Sequence, residues 1–189
     1  RQTTTWRDAC VPTRTLARRR VRDSRAQIRA ANRRFLPKKG LNMAIHFYGT
    51  KEPVYGCFSN FSAHPFILDD QTWRTSEHYF QAMKFAGHPD HIEALRLMPS
   101  PMQVAKAGRS RARPLRKDWE EVKDEIMFRA VLCKFQIHLD IREILLGTGD
   151  ESIVENAPND YYWGCGKDGS GKNQLGLTLM RVREILKGS

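Results

Sequence analysis

Residues 1–40 hold 11 Arg, 2 Lys and only 2 Asp, and no other feature of the chain limits its fold so sharply. Large apolar residues are sparse there, chiefly Leu16, Val21, Ile28, Phe35 and Leu36. A segment so charged and so poor in apolar surface cannot offset the entropy of ordering itself around a core. The whole net charge of +11 belongs to this arm, and residues 41–189 are neutral overall. Three readings of the arm compete: a nucleic-acid-binding extension, an organelle transit segment, or sequence upstream of the real start. Met43, standing where ordered sequence begins, favours the third. The expected organisation is a disordered or non-native arm over 1–42 and one folded domain over 43–189.

The folded part is long enough to enclose one hydrophobic core. The four cysteines (Cys10, Cys57, Cys133, Cys165) show no Cys-x-x-Cys pairing, and the six histidines form no ligand pattern. His88-Pro89-Asp90-His91 is interrupted by its proline. No metal and no cofactor are expected. No apolar run approaches the roughly 20 residues that cross a bilayer, and the start lacks a signal peptide's apolar core. A soluble cytoplasmic protein without membrane partners is the expectation; its oligomeric state is not encoded in any pattern of the chain.

Read in order, Ile45-His46-Phe47-Tyr48 is a short strand, and Phe58 and Phe61 then bracket Ser59 and Asn60 in a loop. Phe66-Ile67-Leu68 and Thr72-Trp73 form a hairpin across Asp69-Asp70-Gln71. Thr75 or Ser76 caps a helix that ends near Gly87. Short helices follow from Pro89 and from Pro101, the second capped by Ser100 and closed by Gly108. Asp118 with Glu121 resembles a capping box, opening a long helix to about Phe135. A helix from Leu139, an irregular stretch over 155–173 and a last helix from Leu175 to Leu186 complete the domain. With roughly six helices, a few short strands and no βαβ alternation, the fold class is α+β, helix-dominated.

Chemistry can reside in three places. On the helix after Trp73, Glu77, Gln81 and Lys84 share a face opposite Tyr79 and Met83. A solvated surface stripe has the same pattern. Asp160 stands just before Tyr161, Tyr162 and Trp163, where desolvation can raise a carboxyl's proton affinity, although Asx-turn residues occupy such positions too. The glycine-rich loop before the last helix, with Gly171, Lys172 and Asn173, can offer backbone amides to an anion or be a long turn. Trp119 is a core residue or a stacking plate for a flat ring. Arg109 opens a basic cluster with Arg111, Arg113, Arg116 and Lys117 that is more commonly a solvated face.

Taken together, Phe58-Ser59-Asn60-Phe61, Trp73 through Phe85, Ser100-Pro101-Met102, Gly108-Arg109, Pro114 through Trp119 and Lys134-Phe135 form a series of blocks in a fixed order. Asn159 through Gly164 and Gly169-x-Gly-x-Asn-x-Leu-Gly176 close it. The series resembles the YbiA-like, or NADAR, proteins over about residues 45–187. The resemblance implies a mostly helical single domain acting as an N-glycosidase. For the bacterial branch, to which the chain is most similar, it implies ribosylamino-pyrimidine 5′-phosphates of riboflavin biosynthesis as the small-molecule substrate. The products are then ribose 5-phosphate and a free aminopyrimidine. Other branches remove ADP-ribose from guanine in DNA, which stands as the alternative. A nucleic-acid-binding protein using its basic arm is the alternative of another class.

The family's functional residues fall on Glu77, Trp119 and Asp160, with a lysine in some members that matches Lys84 or Lys134. On this reading Glu77 and Asp160 act as catalytic carboxylates, or Lys84 acts as a nucleophile. Trp119 stacks on the base, Asn60 and Trp163 contact the substrate, and Arg109 or Gly171, Lys172 and Asn173 take its phosphate. Three positions depart from the family pattern: Arg74 for a proline, Met83 for a glutamine and Asp70 for a turn glycine.

Overall fold

A computed structural model describes residues 44–110 and 112–188; the arm expected over 1–42 lies outside them. The chain runs through β1 (Ile45–Phe47), a 3-10 turn (Tyr55–Phe58), β2 (Phe66–Leu68), β3 (Gln71–Trp73), α1 (Ser76–Met83), α2 (Pro89–Arg96) and α3 (Pro101–Arg109). It continues through α4 (Trp119–Ile137), α5 (Leu139–Gly147), β4 (Ile153–Glu155) and α6 (Gln174–Lys187). Among the described residues no helix is long and apolar enough to cross a membrane.

The hairpin that feeds α1 is tighter than the sequence suggested. Leu68 pairs with Gln71, so only Asp69 and Asp70 turn the chain, with φ of 53° and 58°. Two consecutive left-handed residues are the signature of a type I′ turn, whose twist matches that of paired strands. Asp70 therefore occupies, at some steric cost, a conformation that favours glycine. Asp69 is fastened by the Tyr79 hydroxyl, which donates to its Oδ2 at 2.8 Å. Trp73 closes the hairpin by donating its indole N–H to the Leu68 carbonyl at 2.9 Å.

Thr75, extended at φ −151°, caps α1 by accepting from the His78 amide. The polar stripe of this helix does not face water: every residue from Ser76 to Ala82 is buried. Neighbours press on it from several directions, since α1 packs against α2, α3 and α4. The central element is α4, buried almost continuously from Ile126 to Phe135, with α1, α5, α6 and β2 around it. Its expected capping box does not form. Asp118 gives its carboxylate to Arg116, at 2.6 and 2.8 Å, and makes no side-chain cap bond.

The strand missed in the sequence is β4, which pairs in parallel with β1, Ile45 opposite Ile153 and Phe47 opposite Glu155. Asn173, the residue before α6, holds it from the other side. At φ 52° its side chain accepts from the Glu155 amide at 2.9 Å and donates to the Ile153 carbonyl at 2.8 Å. One turn later a Cβ at Gly176 would sit 2.1 Å from that same carbonyl, so only glycine lets α6 approach β4 so closely. Gly108 has a comparable role inside α3 rather than at its end: a Cβ there would meet Gln81 Oε1 at 1.9 Å.

Candidate active site

Glu77 sits in the first turn of α1, its amide donating to the Asn60 carbonyl at 3.1 Å. Only 7% of the residue is exposed. Its Oε1 accepts from Gln81 Nε2 at 2.7 Å, an i to i+4 contact along one helix face. Burial raises the Glu77 pKa, because a charge in a poorly polarisable interior loses its hydration. The Gln81 bond, then Lys84 and Arg109, oppose that rise, and the negative charge of Asp160 adds to it.

The same helix carries an aromatic wall. Phe80 lies 5.0 Å from the Trp119 ring and 5.2 Å from the Trp163 ring, and Trp163 is edge-on to Tyr162 at 5.2 Å. Lys84 projects its ammonium to 5.4 Å from the Phe80 centroid and 5.5 Å from that of Trp119, where ring quadrupoles attract a cation. It also donates to the Gly108 carbonyl at 3.4 Å. Arg109 is exposed and donates through Nε to the Ala105 carbonyl at 3.1 Å.

Asp160 begins an Asx turn, its Oδ1 accepting from the amides of Tyr162 and Trp163 at 2.9 and 2.7 Å. That turn aims Trp163 at Phe80 while leaving the carboxylate close enough for Glu77 to feel its charge. The sequence-derived residues Glu77, Lys84, Trp119, Asp160, Trp163, Asn60 and Arg109 thus fall in one neighbourhood around α1.

The glycine-rich loop is used differently. The amides of Gly171, Lys172, Asn173, Gln174 and Leu175 donate to the carbonyls of Cys165, Tyr161, Gly164, Tyr162 and Trp163. The loop is thereby bonded to itself, and Gly171 fits where a Cβ would lie 2.4 Å from the Gly164 carbonyl oxygen. Lys172 places its ammonium 5.2 Å from the Tyr162 ring centroid. Both ends of the Asn173 amide go to β4, as described above.

Two further residues belong to the same neighbourhood, one of them, Gln81, already on the polar face read from the sequence. Gln81 fixes Glu77. Glu155, at the end of β4, has its carboxyl pushed up to about 7 by burial first, then by the charges of Asp160 and Glu77. Glu155 carried no local signal, because a three-residue strand shows too little alternation to be read. Lys134, the other lysine matched to the family, lies apart from this cluster in its bonding. Its Nζ donates to the Cys57 carbonyl at 2.6 Å, the Ser59 carbonyl at 3.1 Å and Ser62 Oγ at 2.9 Å. It pins the loop that carries Asn60. Among the described residues no three His, Cys, Asp or Glu side chains are grouped to hold a metal ion.

Comparison with known proteins places this arrangement. The family model described as the NADAR domain matches residues 46–187. An N-glycosidase of Nostoc punctiforme is 51% identical over 147 residues, 77% of this chain and 94% of that protein. The N-glycosidase YbiA of Escherichia coli is 49% identical over 142 residues, 75% of this chain and 88% of the relative. The chloroplastic riboflavin biosynthesis protein PYRR of Zea mays is 39% identical over 159 residues, 77% of this chain but 25% of that longer protein. The NMR structure of E. coli YbiA superposes with a TM-score of 0.73 at 47% identity, covering 78% of this chain and 87% of that one.

Proposed function

This chain belongs to the NADAR domain family, and from that premise we propose that it is an N-glycosidase acting on ribosylamino-pyrimidine 5′-phosphates. Water would cleave the bond between C1′ and the amino nitrogen, giving ribose 5-phosphate and the free aminopyrimidine. The observation that carries this reading is the placement of Glu77: a carboxyl sunk in the interior, beside an aromatic wall and two cationic side chains.

The reaction needs those three things. As the C–N bond lengthens, C1′ becomes cationic and the base takes both electrons. A buried carboxylate stabilises that cation far better than one in water, because little solvent screens it. The wall of Trp119, Phe80 and Trp163 suits a flat pyrimidine, which gains offset or edge contacts with such rings. Lys84 and Arg109 provide the positive charge that a 5′-phosphate requires. The glycine-rich loop, its amides occupied internally, contributes mainly by setting Trp163 and β4. Asp160 stands close enough to prepare the attacking water.

The test is incubation of the full chain with the ribosylamino-pyrimidine phosphates and an assay for ribose 5-phosphate, with Glu77→Gln alongside. Release by the wild type and loss of at least about 10²-fold in the variant are expected. Release of ADP-ribose from guanine-modified DNA, with the pyrimidine substrates untouched, would move the activity to the other branch of the family.

A further inference from the structure

Three buried acceptor oxygens have no hydrogen-bond partner among the described residues around Glu77: Asn60 Oδ1, Gln81 Oε1 and Glu155 Oε2. Asn60 and Gln81 are only 7% and 6% exposed, so bulk water does not account for them. Interiors seldom leave such groups unpaired. Gln81 Oε1 is turned against Gly108 of α3, so Asn60 Oδ1 and Glu155 Oε2 are the two that suit a ligand bringing donors, such as sugar hydroxyls and exocyclic amines.

Glu155 differs from the other two in being able to carry a proton of its own. Its backbone is held on both sides, the amide by Asn173 Oδ1 at 2.9 Å and the carbonyl by the Cys165 amide at 2.8 Å. The charges that face it, Asp160 from the following loop and Glu77 from α1, are both negative. A carboxyl in that position keeps its proton where an exposed one would lose it.

We propose that Glu155 is a further catalytic residue of this site, the acid that hands a proton to the departing nitrogen. The inference rests on the N-glycosidase reading above. The C1′–N bond breaks with both electrons passing to nitrogen, which takes the Glu155 proton and leaves as the neutral amine. Water adds its oxygen to C1′, and the proton it sheds restores Glu155, so the cycle closes without a co-reactant. Asn173 is then a positioning residue, aligning the acid through the backbone of β4.

The experiment uses the full chain and Glu155→Gln, with thermal unfolding as the check on folding. In the wild type, 13C NMR of the labelled glutamate carboxyls should show one group, absent from the variant, titrating near 7. A Glu155 that titrates in the ordinary range of about 4–5 overturns the proposal whatever the substrate proves to be. On ribosylamino-pyrimidine phosphate, the variant should lose about 10²- to 10⁴-fold in kcat and the fall of the wild-type rate above neutral pH should disappear. On 4-nitrophenyl riboside 5-phosphate, whose leaving group needs no proton, the loss should shrink to less than about tenfold, since only the acid's contribution is removed. Equal losses on both substrates, or none on either, would show Glu155 to be structural. A wild type inert towards every N-glycoside would fail the functional reading instead, and the titration alone would then judge Glu155.

Discussion

Lys134 and Glu77 are buried to similar depth, 0% and 7% exposed, yet the protein treats them in opposite ways. Around Lys134 all three ammonium donors are met by oxygens of the Cys57–Ser62 loop. Burial pushes its pKa down to about 7, while the three acceptors favour keeping the proton. Around Glu77 the polar atoms outnumber their partners, and two further acids crowd it. A satisfied buried charge holds structure together; an unsatisfied set of acceptors is tolerated where a ligand completes it. On the proposed reading, the contrast separates a lysine that shapes the site from the carboxyls that act in it.

The largest effect expected from breaking this contrast is on the satisfied side. Lys134→Met strands two carbonyls and a hydroxyl in the interior, and should cost about 3 kcal/mol or more of stability, read by urea unfolding. Activity per folded molecule should then fall because the Asn60 loop loosens. On the other side, Glu77→Gln should remove about 10² or more in turnover, equivalent to about 2.7 kcal/mol, while leaving the unfolding midpoint unchanged or higher. If instead it unfolds the protein and Lys134→Met abolishes turnover with no loss of stability, the two regions have been assigned the wrong way round.

An intermediate effect is expected at Gly108→Ala. The added methyl displaces the Gln81 carboxamide, costing about 1–3 kcal/mol, and frees Glu77 from its hydrogen bond. Unfolding and turnover should both report it. A smaller effect concerns pH. The folded pKa of Glu155, about 7, lies above the unfolded value, so the folded state holds more protons between about 4.5 and 7. The Glu155 contribution to stability should fall as pH rises through that window and level off above it. Glu155→Gln removes that contribution, and the difference from wild type should be a gain of about 1 kcal/mol at pH 8 and nothing at pH 4, by thermal unfolding across pH. The smallest is no effect at all: dialysis against EDTA should leave ribose 5-phosphate release unchanged, since carboxyls alone carry the scheme.

How much of this was legible depended on how local each signal was. Thr75, Ser100 and the spacing of the α1 residues speak within four positions, and the helices they predicted are present. Glu77, Trp119 and Asp160 were candidates from their local sequence, each beside a structural alternative, and the ordered blocks shared with a family are what favoured a functional reading. The polar stripe on α1 misled in its solvated reading, because periodicity records which residues share a face but not what covers it. Asp118 looked like a cap until Arg116, two residues back, claimed its carboxylate. Glu155 was invisible for a different reason: β4 exists through β1 and Asn173, and neither lies nearby in sequence.

The pairing of β1 with β4 also orders the protein's birth. Synthesis from residue 45 delivers Glu77 early, while the strand bearing Glu155 begins at residue 153 and is clamped only once Asn173 has emerged. Closing so long a loop is slow compared with winding the helices between. A nascent chain ending before residue 153 carries Glu77 with neither the paired β4 that bears Glu155 nor the Trp163 ring that packs on Phe80. A fragment released early from the ribosome would therefore lack the proposed site, which is complete only once α6 has packed on β4.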